Sequence, residues 1–261
     1  GGQQDVVDLT NSAVPHFHES GLDYMLQAVR SKGLFEARQA MDSTMSASVY
    51  IITVGTPLGP DGAARLDFMR SAASEVASNM QSGALVMLRS TVKIGTTREV
   101  VLPILAESGQ QFMLAMCPER TLEGKAMEEL RKLPQIIGAD DAEAREAAAR
   151  FFHRLTPTVV QFPRYETAEI IKLVDNTYRD VQFAFANEVA RACEPFGVNA
   201  IDVIEGGKLG YPRTNLAIPG LVGGPCLEKD PHILRESVSR FGIDLGITAA
   251  ARAVNEQQPY E

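Results

Sequence analysis

The sequence predicts an α/β fold: an incomplete doubly wound parallel sheet followed by a mainly helical region. Short apolar runs rich in β-branched residues alternate with stretches of helical spacing as far as about Arg164, the pattern of strands joined by crossover helices. Beyond Arg164 the apolar period becomes that of a helix and stays so. No uninterrupted apolar run approaches the length of a membrane-spanning helix.

Residues 48–54 (SVYIITV) and 84–88 (ALVML) are apolar runs closed by turn residues, as buried strands of a parallel sheet are. Residues 112–115, 135–138 and 158–161 read the same way. Helices are predicted over 65–79 and 142–155, the second with Asp140 and Asp141 at its start, where the macrodipole favours acid. A long helix is predicted over 166–196, with Ile170, Leu173, Val174, Val181, Ala184, Phe185 and Val189 as its apolar face and Pro195 and Gly197 as stop signals. A loop rich in Gly and Pro over 206–225 follows, and then more helix. There is no internal repeat and no low-complexity segment.

The 261 residues suffice for one large domain or two smaller ones. Apolar residues at 45% and charged residues at 22% place the chain among ordinary globular proteins. A formal net charge of −8 argues against a nucleic-acid partner, because a phosphate backbone demands a basic face. Cys117, Cys193 and Cys226 are odd in number and lack metal-like spacing, which predicts neither a disulfide framework nor a metal site. The N-terminus resembles no signal peptide, so a reducing, cytoplasmic setting is expected.

The most informative stretch is 223–231 (GGPCLEKDP). Its glycines allow close backbone approach to a ligand and place the Cys226 thiol on a tight loop. If a helix begins at Cys226, Asp230 four residues on shares its side, and the helix N-terminus with Lys229 favours the reactive thiolate. A small residue in a Gly-Pro turn is the plainer reading. In 169–176 (EIIKLVDN), Lys172 and Asn176 lie one helical turn apart beside the apolar stripe. A partly covered lysine there can act as acid or base; the alternative is a solvated lysine beside a polar asparagine. Residues 118–125 (PERTLEGK) follow a predicted strand, where ligands bind in open α/β sheets. Glu119 and Glu123, four apart, suit a general base and an orienting group, or simply an exposed loop. RSTV at 89–92 and TVGTP at 53–57 also close strands, and hydroxyls there reach cofactor or reacting oxygens or serve turn chemistry.

In this order the blocks VGTPL, RSTVKIGTT, CPERTLEGKA, AEIIKLVDNTYRDVQFAFANE and GGPCLEKDP resemble the UDP-glucose/GDP-mannose dehydrogenase family. The PER form and the TYRxVxxAxxNE helix are most similar to its UDP-N-acetylmannosamine branch. The resemblance implies a Rossmann-like NAD-binding domain over 1–163, lacking its first strand and glycine-rich turn, and a central helical catalytic and dimerisation domain over 164–261. By the same resemblance a third, nucleotide-binding domain is expected to be missing, and the isolated chain is expected to be inactive. The implied activity is a two-step, NAD-dependent oxidation of a sugar C6 alcohol to a carboxylate on a UDP-sugar substrate, by a homodimer.

By the same resemblance Cys226 attacks the aldehyde, Lys172 and Asn176 hold the reacting oxygen, and Asp230 works with them through water. Glu119 and Glu123 match the two acids of the family's PExxxE loop, one of them the hydrolytic base, with Glu123 also on the cofactor side. Thr91 orders a water and touches the cofactor with Thr56 and Lys229. Glu119, Arg120, Thr121, Leu122, Lys172, Asn176, Arg213, Asn215 and Gly223 line the substrate; no metal is implied. Pro225 stands where the branch more often has His, and the loop at 219–224 is one residue shorter. A one-step dehydrogenase of the β-hydroxyacid type shares the layout and the helix lysine and asparagine but has no use for Cys226. A catalytically dead oligomerisation paralogue is the third reading.

Overall fold

A computed structural model of the chain describes residues 2–41 and 47–258. It divides into two compact units. One holds the described residues up to Val54 together with Met69–Ser90 and Thr97–Ala168; the other holds Gly55–Phe68, Thr91–Thr96 and the described residues from Glu169 onward.

In the first unit five strands form one sheet in sequence order: β1 (Val49–Ile52), β2 (Ala84–Leu88), β3 (Phe112–Met116), β4 (Gln135–Gly138) and β5 (Val159–Phe162). Each of the five predicted strands is present. Val49 pairs opposite Leu85, Ala84 opposite Phe112 and Gln135 opposite Val159, all parallel. Only β3 and β4 run antiparallel, meeting at Met116 and Gly138. The direction of β4 is not legible in its sequence, since an apolar run reports burial and not polarity. All five residues of β2 are buried, whereas in β1 Tyr50 and Ile52 are buried and Ile51 is exposed, so one face of β1 is covered.

Helices α1 (Gly2–Asn11), α2 (Leu22–Ser31), α3 (Asp67–Asn79), α4 (Leu102–Ala106), α5 (Ala126–Lys132) and α6 (Ala142–Phe152) connect or flank the strands, and a π-helical turn (Thr97–Val101) runs into α4. The sequence reading placed α3 and α6 and did not place α1, α2, α4 or α5, the last two being too short to show a period. Helix α6 buries Ala144, Ala148, Ala149 and Phe152 against the sheet. Asp141 caps it, accepting from the N–H groups of Glu143 and Ala144, which satisfies two otherwise unpaired donors.

At the end of β4, a Cβ added to Gly138 would lie 2.5 Å from the Arg164 carbonyl oxygen and 2.8 Å from the Ala168 Cβ. Backbone cannot yield as a flexible side chain does. Gly138→Ala is expected to cost about 2 kcal/mol or more in overpacking, read as a fall in the denaturant midpoint with an unchanged slope.

Close by, Arg98 bonds both Asp140 and Glu166 and lies over the Tyr165 ring. The Arg98 hydrogen bond, opposed by burial, holds the Glu166 carboxyl down at about 2, well below its ordinary 4.5. A depressed carboxylate adds stability that is fully present above its unfolded value and is lost as pH falls through the folded one. The melting-temperature gap between wild type and Glu166→Gln should therefore be constant above about pH 5 and close toward about pH 2. A gap that persists at the acid end refutes the assignment.

The second unit holds the long helix α7 (Tyr165–Cys193) from Glu169 on, a 3-10 turn (Glu194–Phe196), α8 (Ala200–Lys208), α9 (Asp230–Ser239) and α10 (Gly246–Gln257). Leu173, Ile233 and Leu234 form its core, with Leu58, Ala64, Ile94 and Leu245 packed on them. Helix α8 carries Gly206 and Gly207, so the loop predicted from 206 begins only at Leu209.

The face of α7 that is covered differs from the expected one. Glu169, Lys172, Leu173, Asn176, Thr177, Asp180, Ala184 and Asn187 are buried, while Ile170, Val174, Tyr178 and Phe185 are exposed. Apolar spacing marks a stripe but does not say which side meets the fold.

Candidate active site

The second unit places the 223–230 turn against α7. Gly224 has φ +89°, a conformation glycine adopts without steric cost. The Glu228 side chain folds back so that its Oε1 accepts from the Gly224 N–H at 3.0 Å. That same oxygen would sit 2.7 Å from a Cβ on Gly223. Gly224 and Glu228 thus shape the turn.

Helix α9 starts at Asp230 and not at Cys226, which corrects the predicted helix start. The Cys226 carbonyl still accepts from the Asp230 N–H at 3.0 Å and from Lys229 at 3.3 Å, so the turn already has helical spacing. Cys226 is exposed. Cys193 is half-buried, and Cys117 is fully buried, its thiol pushed up to about 12 by burial against the pull of Arg89. Cys226 is the most exposed of the three.

Asp230 is the centre of the cluster. It is 0% exposed, and Asn176 and Lys172 are 6% and 8% exposed. Asn176 Nδ2 donates to its Oδ2 at 2.6 Å, and Lys229 Nζ donates to its Oδ1 at 2.8 Å. A buried carboxylate is tolerated because both oxygens are paired, one of them ionically. Lys229, expected to support the thiolate, is thus engaged by Asp230. Lys172 lies one turn before Asn176 on the same covered face, and no described residue accepts from its Nζ. Lys172 therefore combines a buried stem with an amine free for a ligand.

Thr56 is buried, and its Oγ1 donates to the Thr91 carbonyl at 2.6 Å, which ties together the loops that follow β1 and β2. Beyond this pair, the Gly95 N–H donates to Glu169 at 2.6 Å. A Cβ built on Gly55 meets no atom within 4 Å, so open room lies beside the turn that ends β1. Asn215 offers its carbonyl to Gln182, and the exposed Arg213 stacks on Tyr211 at 4.5 Å. Gly220 is clamped by Asn187, whose side chain takes both its N–H (2.8 Å) and its carbonyl (3.1 Å).

The loop 119–124 belongs to the first unit. Glu119 pairs with Arg89 through one oxygen, and with the other accepts the N–H groups of Arg120 (2.7 Å) and Thr121 (2.9 Å). Burial opposes its charge, yet Arg89 and those N–H groups outweigh burial and hold the carboxyl below its usual range. Leu122 is exposed, its N–H donating to Glu129, and the Gly124 N–H donates to Glu19. Glu123 is exposed. Sequence reasoning passed over Arg89 as a site residue. Buried at the end of β2, it also bonds Gln135 at 3.2 Å and lies over the Phe152 ring. An arginine closing an otherwise apolar strand was the available signal.

The first unit is an α/β sheet whose strand ends carry hydroxyls and paired charges, and the second unit carries a thiol near a lysine–asparagine–aspartate cluster. The chain belongs to the UDP-glucose/GDP-mannose dehydrogenase family. Residues 2–156 match that family's NAD binding domain and residues 166–257 its central domain. A UDP-N-acetyl-D-mannosamine dehydrogenase of Pyrococcus horikoshii is 35% identical over 98% of the chain and 62% of its own length. An NDP-N-acetyl-D-galactosaminuronic acid dehydrogenase of Ralstonia solanacearum is 31% identical over 98% of the chain and 62% of its own length. The solved UDP-D-ManNAc dehydrogenase of Pyrococcus horikoshii superposes with a TM-score of 0.92 at 33% identity, covering 98% of this chain and 61% of that one. The chain thus spans just under two thirds of these relatives. Among the described residues no helix is long and apolar enough to cross a membrane.

Proposed function

We propose that the protein catalyses NAD-dependent, four-electron oxidation of the C6 alcohol of a UDP-sugar, of the N-acetylhexosamine or glucose type, to the uronic acid. The observation that carries this reading is the buried Lys172–Asn176–Asp230 cluster hydrogen-bonded to the turn that presents Cys226. NAD, when bound, supplies the hydride acceptor for both steps. The Thr56–Thr91 pair lies in the loops after two strands, the kind of place where such folds hold a cofactor. The sequence has no GxGxxG turn, so no residue is assigned to the phosphates.

In the first step Lys172 and Asn176 hold the C6 oxygen while its proton leaves and the carbon loses hydride. Lys172 Nζ, with no protein partner, takes the proton directly or through a water ordered by Asp230. The Cys226 sulfur then adds to the aldehyde carbon, and its proton passes to the aldehyde oxygen. Once Lys172 has passed its first proton to water, it takes the hydroxyl proton of this thiohemiacetal as the second hydride leaves, giving a thioester, with Lys172 and Asn176 again facing the oxygen that bears charge. Water, ordered by Thr91 and deprotonated by one of Glu119 and Glu123, cleaves the thioester to carboxylate and thiol. The carboxylate of Glu119, already held by Arg89, also fixes the backbone of Arg120 and Thr121, which with Leu122 meets the sugar. Arg213, Asn215 and Gly223 border the nucleotide side.

The exposed stripe of Ile170, Val174, Tyr178 and Phe185 on α7 fits a homodimer seam. Sedimentation of the complete protein should give twice the monomer mass, and Val174→Glu should lower it.

The deciding experiment offers UDP- and GDP-sugars with NAD to the complete protein and counts NADH per sugar. Two per UDP-sugar supports the reading, and one sinks the thioester step.

A further inference from the structure

We infer that Arg252 is a positioning residue that holds the Cys226 turn in register with the Lys172–Asn176 face of α7. This role rests on the reaction proposed above, although the geometry behind it does not. Arg252, on α10, is 3% exposed. Its Nη1 donates to Asp180 Oδ1 at 2.6 Å and to the Leu227 carbonyl at 3.3 Å, while Nε and Nη2 reach Glu256 Oε1.

Leu227 is the residue after Cys226, and Asp180 lies one helical turn beyond Asn176. A single guanidinium therefore bridges the thiol's own turn to the helix that carries the proposed oxygen-binding pair. Asn255, one turn after Arg252, donates to the Asp180 side chain (2.9 Å) and carbonyl (3.0 Å), and accepts from Asn187 at 3.2 Å. Asn187 in turn clamps Gly220. The segment bearing Cys226 is thus fixed at Gly220, Leu227 and Asp230, each time to a buried side chain on α7 or α10.

The exposure of Cys226 makes this arrangement necessary. Cys226 is exposed while Leu227 beside it is buried, so the thiol's position is set by the packing of Leu227 and by hydrogen bonds on either side. Asn176 fixes Asp230 below it and Asn187 fixes Gly220 above it. At the Leu227 carbonyl Arg252 is the only donor among the described residues, and its charge is balanced by Asp180. The first oxidation uses Lys172 and Asn176, which Arg252 does not touch; the second also needs the sulfur at bonding distance from the aldehyde carbon.

The test compares wild type, Arg252→Met, and Arg252→Met combined with Asp180→Asn, a variant in which no buried charge is left unpaired. In the complete protein, single-turnover rates are measured from the sugar alcohol and from the 6-aldehyde. Amide hydrogen exchange is followed over 221–229 and over α7. The expected result is a loss of about a hundredfold in aldehyde oxidation, with alcohol oxidation within about threefold of wild type. Exchange over 221–229 is expected to rise about tenfold while α7 stays protected.

Equal loss of both steps, or faster exchange throughout α7, α9 and α10 in the double variant, overturns the positioning role in favour of a general structural one. Unchanged exchange over 221–229 also overturns it. If wild type itself makes one NADH per sugar, the proposed function fails, and the exchange comparison still decides whether Arg252 holds the turn.

Discussion

Cys226→Ala is expected to stop the proposed reaction at the aldehyde. NADH per sugar falls from two to one, and formation of the acid drops by at least about a thousandfold, as when a covalent nucleophile is removed elsewhere. Accumulated aldehyde is captured with a hydrazide and identified by mass. The effect is confined to the second step because the first hydride leaves a carbon that bears no sulfur. Stability should hardly change: the side chain is exposed, and the turn is kept by the Cys226 carbonyl, which alanine retains. An alanine variant that still releases two NADH per sugar at the wild-type rate removes the thioester from the mechanism.

Lys172→Met has the second-largest expected effect, and it falls on both steps. Methionine preserves most of the buried stem while deleting Nζ, so the covered face of α7 stays filled. Loss of a donor aimed at developing oxygen charge costs about a hundred- to a thousandfold in kcat, with a smaller change in KM. Single-turnover rates from alcohol and from aldehyde should fall together, in contrast to Cys226→Ala. No described residue accepts from Nζ, so its removal strands no protein acceptor, and the melting temperature should stay near that of wild type. A large fall in melting temperature would instead mark Lys172 as a structural element of α7.

Much of the first unit was legible because strand and helix periods are local. Five apolar runs became five strands, and the acid at 140–141 became a cap at Asp141. The short helices α4 and α5 left no period to read. Helix α7 was visible in length but not in orientation: its covered face carries Glu169, Lys172, Asn176, Asp180 and Asn187, while Ile170, Val174, Tyr178 and Phe185 face outward. Polar residues at helical spacing read as solvated unless their partners are known, and those partners lie far along the chain.

Cys226 and Asp230, four apart, were recognisable as a pair from sequence. The order of motifs by itself determined the family and singled out Cys226, Lys172 and Asn176 as candidates, because motif identity is a property of neighbouring residues. Only the tertiary structure decided that Asp230 is buried between Asn176 and Lys229, that Glu119 is held by Arg89, and that Asp180, Arg252 and Leu227 meet. Apart from the neighbours Lys229 and Asp230, those contacts join residues 25 to 72 positions apart. They exist only once folding has excluded water and made each unpaired charge costly enough to require its partner.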